Sequence, residues 1–513
     1  MRFQSYLLKI ALFATGLSGI VAEYILSTLA TYFLGDSTVQ WTMTVSVMLF
    51  SMGLGSRLSR YRKSHLLETF IVTEFVLSLL TAFASLSVYT LAAVSPYVGF
   101  FLYALAILIG LLIGLEIPLV IRLNDELESL RVNVSSVLEK DYYGSLLGGV
   151  FFAFVGLPFL GLTYTPFLLG GINLMVAVGL LWWLRPHVTR RAWPWLQGAA
   201  VLLPLALAAG AAGAEPLVLW GEQLRYRDQV VYAEQTRYQR IVITRWKDHH
   251  WLYLNGNQQL STLDEAMYHE PLVHPALSLV GQPRDVLVLG GGDGGAVREV
   301  LKYPSVRSVR LVDLDPAMTE LGRTHPVLLD FNEGALLDGR VSITNQDGYR
   351  FLEVDSGYYD AVIVDLPDPR TVELSRLYSL EFYELCARHL RPGGVLVTQA
   401  GSPYYATRAF RCVERTLTAA GFAGVPMHNQ VLTMGEWGWI VADRSGDSER
   451  LKKRLQALRF ERIPTRWING EAMQLVTSFG KDTYAFPVDS VGVNRVRDPV
   501  LYRYYLDGNW DLY

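Results

Sequence analysis

Four acidic groups in the second half of the chain each follow a short apolar run. After Asp285–Leu289 comes Gly290-Gly291-Gly292-Asp293-Gly294-Gly295, and after Ser308–Val312 comes Asp313-Leu314-Asp315. After Val341–Thr344 comes Asp347-Gly348, and after Tyr359–Val364 comes Asp365-Leu366-Pro367-Asp368-Pro369. Glycines let a backbone turn sharply and approach a ligand closely. An acid about 20 residues further on can accept both ribose hydroxyls. Asp347 is placed to meet an adenine edge or amino group. The predicted chemistry is therefore nucleoside binding. An anionic pocket rejects a pyrophosphate cofactor and suits a cationic ligand, such as a sulfonium with an ammonium tail or an amine. Asp293, Asp365 and Asp368 fall where the reacting end of a nucleoside would lie. Asp365 can act as base toward an attacking ammonium, and neighbouring acids raise one another's pKa to suit that task.

The elements that must position these acids are strands alternating with helices near 295–302, 316–324, 348–353, 379–390 and 405–420. Such alternation predicts a parallel sheet covered on both faces, with ligands at the carboxyl ends of its strands. Upstream, Val230–Ala233, Gln239–Trp246, Trp251–Leu254 and Gln258–Leu260 read as short strands, with a hairpin turn at Asn255-Gly256. A helix is expected over Asp264–Leu279.

The first part of the chain is different. Residues 1–214 hold 22 of the 93 charged residues and residues 215–513 hold 71. About one residue in ten is charged in the first part against about one in four in the second, the usual soluble fraction. Apolar segments at 7–34, 38–56, 66–91, 97–121, 142–162, 164–184 and 194–213 are membrane-span candidates. Basic residues follow the second, fourth and sixth: Arg57, Arg60, Arg62 and Lys63; Arg122, Arg131 and Lys140; Arg185, Arg190 and Arg191. The alternate loops, near Asp36, Pro96 and Thr163, carry none, so the basic loops and the N-terminus are expected in the cytoplasm. Glu23, Glu74 and Glu116 fall within apolar segments, where carboxylates are costly and become functional candidates. High apolar content excludes disorder. The two cysteines, Cys386 and Cys412, exclude a disulfide scaffold. A net charge of −3 without a basic run argues against nucleic acid. His249-His250 reads as a hairpin tip rather than a metal pair.

Together these features resemble the spermidine synthase (polyamine aminopropyltransferase) family, in its multi-spanning bacterial branch. The resemblance is carried by Val286–Val300, Tyr303-Pro304-Ser305-Val306, Leu311–Asp315, Tyr238-Gln239 and Asp264-Glu265 with Tyr268-His269-Glu270. It covers about 230–443. It implies transfer of an aminopropyl group from decarboxylated S-adenosylmethionine to a diamine, typically putrescine, giving spermidine and methylthioadenosine. Gln239, Asp293, Asp313, Asp347 and Gly348 would hold the donor and Asp365 would accept the proton. Tyr268, His269 and Asp368 would orient the amine. No metal or other cofactor is implied, and a homo-oligomer is compatible with it. Asp313 stands where the family often has Glu. Arg370–Leu374 replaces the Gly-Pro start of a gate loop, and Thr433–Gly438 alters a later substrate loop, where Glu436 and Trp437 are candidates to reshape the acceptor pocket.

The expected architecture is a multi-span helical membrane domain (1–214), a β-hairpin subdomain with a helix (215–280), a Rossmann-like domain of the S-adenosylmethionine-methyltransferase type (281–445) and an extension (446–513). The seven aromatics from Tyr484 to Tyr513 are expected to pack rather than bind. Two other functions fit parts of the pattern: a methyltransferase on the same sheet, and a membrane polyamine sensor or transporter with a non-catalytic domain. The chain is expected in the cell membrane. Donor chemistry favours a cytoplasmic catalytic domain, which requires 194–213 not to cross fully; loop charge favours the opposite.

Overall fold

The computed structural model describes residues 2–35, 37–125, 129–480 and 486–510. It divides into two compact units, Met1–Gln239 and Arg240–Tyr513.

The first unit is helical: α1 (Arg2–Leu34), α2 (Ser37–Ser59), α3 (Leu66–Ala82), α4 (Ala84–Val94), α5 (Val98–Leu123), α6 (Leu130–Phe151), α7 (Gly161–Trp183) and α8 (Trp193–Arg225), followed by strand β1 (Gln229–Gln235). All seven apolar segments lie on helices. Among the described residues, four helical stretches are long and apolar enough to cross a membrane: Gln4–Leu34, Val98–Leu123, Leu130–Trp183 and Trp193–Arg225. The pair α3 and α4, bent by 51° at Phe83, makes five. This is fewer than the seven expected. The α2 helix carries too many Ser, Thr and Gln residues, and the segments 142–162 and 164–184 fall in one 54-residue stretch. That stretch is not straight. The Thr165 hydroxyl donates to the Gly156 carbonyl at 2.9 Å, nine residues back, where a straight helix would hold them about 13.5 Å apart. The chain reverses between α6 and α7.

The basic loops gather on one face of this unit. Arg122 donates to the carbonyls of Ser59 and Arg62, and Glu68 accepts from the Thr189 amide at 3.0 Å. The α8 helix starts there, with Trp193 beside Trp182, and ends beside Tyr32, whose hydroxyl lies 3.1 Å from Glu222. It is one helix of 33 residues, about 50 Å long, unbroken at Pro204. The whole 194–213 segment lies within this helix, and the boundary expected at 214/215 falls inside α8.

The second unit begins with an antiparallel sheet of β2 (Arg240–Trp246), β3 (His249–Leu254) and β4 (Asn257–Ser261). Its β3–β4 turn is Asn255-Gly256, both at positive φ. Then come α9 (Ala266–Val280), β5 (Asp285–Gly290), α10 (Gly295–Leu301), β6 (Ser308–Asp313), α11 (Pro316–Thr324), α12 (Pro326–Phe331), β7 (Val341–Asn345), α13 (Gly348–Val354) and β8 (Tyr359–Asp365). The chain continues through α14 (Val372–Ser375), α15 (Leu380–His389), β9 (Leu390–Gly401), α16 (Thr407–Ala419), β10 (Ala423–Val431), β11 (Gly435–Asp443), α17 (Ser448–Gln456), α18 (Gly470–Val476) and α19 (Leu501–Leu506).

The main sheet runs β10-β11-β9-β8-β5-β6-β7. Strands β5 to β9 are parallel, and the β10–β11 hairpin adds an antiparallel edge. Alternate residues feed two cores. Val286, Val288, Leu311 and Ile363 face one side with residues of α9, α10 and α18, while Leu287, Leu289, Val362 and Val364 face the other with residues of α15, α16 and α19. Each such side chain contributes about 1.5–3 kcal/mol when fully buried. The strand order reverses between β5 and β8, which opens a crevice at their carboxyl ends.

Candidate active site

That crevice is where the acids meet. Gly290 and Asp365 are register partners at the ends of β5 and β8. Gly290 sits at φ +83°, and a Cβ there would come within 2.0 Å of the Asp365 carbonyl, so only glycine lets the two strand ends close up. Asp313, at the end of β6, accepts from the Gly292 amide at 3.0 Å and the Asp315 amide at 2.9 Å. These bonds tie the second acid to the glycine loop. Burial still pushes its pKa up to about 6. Asp293 caps the next turn by accepting from the Gly295 amide at 2.7 Å.

Asp365 accepts from the Tyr268 hydroxyl at 2.8 Å. Burial, with the nearby Asp293 carboxylate adding to it and His269 opposing it, pushes Asp365 up to about 6. A carboxylate so placed is a base just above that pH, and Tyr268 fixes which oxygen stays free. Asp368 is held through another residue: the Tyr505 hydroxyl donates to Oδ2 at 2.6 Å, and the Arg370 guanidinium lies 3.6 Å from the same oxygen. Burial raises Asp368, and Arg370 pulls it back. The loop between the two acids is pinned by Tyr378, whose hydroxyl donates to the carbonyls of Leu366 (3.0 Å) and Pro367 (3.1 Å). Gln399 donates to the Leu366 carbonyl as well.

Other expected residues take different places. Asp347 caps α13 through the Arg350 amide and pairs with Arg376 at 2.6 Å, so its carboxylate is already engaged; Gly348 beside it is open. His269 is buried behind the glycine loop. Its Nδ1 lies 3.1 Å from Glu265, and its Nε2 would lie 2.5 Å from a Cβ at Gly295, so it backs the loop. Burial lowers its pKa. Gln239 closes a turn with Thr236 and is the last residue of the first unit. His249 and His250 open β3. Glu270, His274 and Glu299 bring ligand atoms within 4.8 Å of one another, the one such trio among the described residues. Each is already committed, Glu270 to the amides of residues 466–468, Glu299 to His274, Arg298 and Lys302.

Beside Asp368 opens a cavity of about 330 Å³, lined among others by Tyr253, Gln258, Arg370, Trp437 and Trp510. Trp437 lines this cavity, whereas Glu436 turns to His428. Tyr505 and Trp510 pack on the core of the second unit, and they also reach the crevice, Tyr505 through its bond to Asp368 and Trp510 through the cavity wall; Tyr484 and Tyr513 lie outside the described residues. Nothing in local spacing marks Tyr505, which reaches Asp368 across 137 positions.

Residues 265–453 match the model of the spermine/spermidine synthase domain. Polyamine aminopropyltransferase 2 of Aquifex aeolicus is 41% identical over 97% of this chain and 98% of its own length. The polyamine aminopropyltransferase of Oceanobacillus iheyensis is 37% identical, covering 96% of each chain. Polyamine aminopropyltransferase 2 of Ralstonia nicotianae is 40% identical over 97% of each.

Proposed function

The chain belongs to the polyamine aminopropyltransferase family and is an enzyme of the spermidine synthase type, and from that premise we propose that its donor is decarboxylated S-adenosylmethionine and its acceptor a diamine of the putrescine class. Asp293 and Asp313 hold the nucleoside and its cationic tail. The acceptor enters by the cavity at Asp368, its far ammonium against that carboxylate. Asp365 takes the proton from the near ammonium. The freed amine nitrogen then attacks the propyl carbon next to sulfur. The new C–N bond forms as the C–S bond breaks, and the electron pair leaves on sulfur as the neutral thioether of methylthioadenosine. Alignment supplies much of the rate in such a displacement. The observation that carries this reading is the pair of acids on one loop, Asp365 bound by Tyr268 and Asp368 bound by Tyr505. Family membership sets aside the methyltransferase and the non-catalytic sensor. Release of methylthioadenosine by the detergent-purified protein, offered a panel of diamines and triamines, tests the proposal. Release that needs one amine and disappears in Asp365→Asn is expected. Release with no amine on the panel would overturn the acceptor class.

The helical unit is proposed to lie in the cell membrane. The unbroken α8 supports a chain that leaves this unit on the face opposite the basic loops. A cytoplasmic catalytic unit would then require those loops outside, against the usual charge bias. The proposal is accordingly a non-cytoplasmic catalytic unit. A cysteine introduced at Asn255 should react with an impermeant thiol reagent in intact cells. Labelling only after the inner face is opened would reverse the assignment.

A further inference from the structure

The loop after β8 sets a cation of the chain's own beside Asp368. The Arg370 amide donates to the Asp368 carbonyl, two residues back, at 2.7 Å. A hydrogen bond of that span closes a γ-turn, and Pro369 at its centre supplies the fixed negative φ that the inverse form needs. The turn folds the Arg370 side chain back beside Asp368. Its guanidinium lies 3.6 Å from Oδ2 of Asp368 and 3.4 Å from the Tyr505 hydroxyl that donates to the same oxygen. It also lies 5.4 Å from the centre of the Tyr505 ring and 5.9 Å from that of Trp510.

A carboxylate flanked by aromatic rings is an arrangement that binds an ammonium, by charge and by attraction to the ring faces. Here a tethered guanidinium already occupies it. Asp368 and Arg370 are the one acid and the one base among the nine described residues that line the adjoining cavity, so its wall carries no formal net charge. Volume does not decide what enters. At about 330 Å³ the cavity falls in the ordinary range of small-molecule pockets. Asp368 lines it and Asp365 does not, so a longer amine held at both acids would extend into it.

A diamine and a triamine meet this corner differently. The far ammonium of a diamine shares the Asp368 carboxylate with the guanidinium. A triamine such as spermidine would put its middle nitrogen there and send a further ammonium into the cavity. That extra cation finds no second carboxylate in the wall. It faces the Arg370 charge instead, beside rings that Arg370 already covers. Like charges brought together cost affinity. The Arg370 side chain is 41% exposed, so water screens part of the repulsion and about tenfold is the scale expected.

We propose that Arg370 is a specificity-determining residue, whose guanidinium stands in for a second substrate cation at Asp368 and restricts the acceptor to amines with one distal ammonium. This rests on the acceptor placement given above and goes beyond it by naming what excludes longer amines.

The test is kcat/KM for methylthioadenosine release by the full-length protein in detergent, with putrescine and with spermidine as acceptors. Wild type should favour putrescine. Arg370→Met keeps an unbranched stem against Tyr505 and Trp510 without the charge, and should raise the spermidine-to-putrescine ratio about tenfold. Arg370→Lys keeps the charge and should leave the ratio at its wild-type value. A merely structural role would weaken both amines together and leave the ratio in place. The inference is overturned if wild type uses spermidine as readily as putrescine, if Arg370→Met leaves the ratio unmoved, or if Arg370→Lys raises it as far as Arg370→Met does. Absence of release with every amine in the wild type would strike the reaction assignment instead. The same ratio is then read from equilibrium dialysis of the two labelled amines, so the two readings fail separately.

Discussion

In the α/β unit the buried acids Glu265 and Glu299 meet Arg298, Arg466, His274 and Lys302, and Glu270 meets three backbone amides. In the helical unit neither oxygen of the buried Glu116 has a hydrogen-bond partner among the described residues. Both units bury carboxylates, with opposite outcomes. A paired acid stabilises one arrangement of the chain, and removing its partner leaves an uncompensated charge. An unpaired acid costs stability and is retained only where something else answers it. The crevice acids stand between the two cases. Asp365 and Asp368 each keep one hydroxyl donor, which orients them without neutralising them.

The largest break in this contrast should come from Asp365→Asn. Loss of a general base lowers the rate by about 10²–10⁴-fold, read as methylthioadenosine release. In the wild type that rate should fall as pH drops through about 6, because Asp365 must be deprotonated to take the proton. A profile flat from pH 5 to 8 would remove Asp365 from that role. Next is Arg298→Met, which removes the guanidinium shared by the buried Glu265 and Glu299 and should cost about 3–5 kcal/mol in denaturant unfolding. The pairing holds Glu299 at about 2, against 4.5 for a free Glu. The stability it gives is complete above pH 4.5 and disappears as pH falls through about 2. Tyr505→Phe should be milder, raising KM for the amine by about 10–100-fold, the worth of a hydrogen bond to a charged group, with donor KM little changed. The smallest effect belongs to the helical unit. Glu116→Gln strands no partner, so its unfolding free energy should stay within about 1 kcal/mol of wild type or rise. A loss as large as that of Arg298→Met would erase the contrast between the two units.

The crevice was legible because its parts are local. The glycine run and the acids that follow β5, β6 and β8 each sit one step past an apolar strand, and strand alternation places those steps side by side. Asp347 was legible as a residue but not as a role, because its competitor Arg376 lies 29 positions away. Tyr505, Arg370 and Trp510 gather beside Asp368 through contacts that no periodicity encodes. In the helical unit, hydropathy located every helix but not the extent of α8, since Glu215 and Pro216 mimic a boundary that the backbone passes through. The grouping of basic loops was read from charge alone, and hydrogen bonds between those loops put them on one face.

The hydroxyl of Tyr505 has a consequence for the order in which this enzyme is made. Every strand of the main sheet is complete by Asp443, and both crevice acids are in place by then. Yet Asp368 lacks its donor until α19 has been synthesised and has docked. A nascent chain stalled before Leu501 would carry an assembled sheet with Asp368 still lacking its hydroxyl donor. Synthesis must pass Tyr505 before that carboxylate is oriented, and a reporter fused immediately after Tyr505 would burden the one helix that supplies the donor.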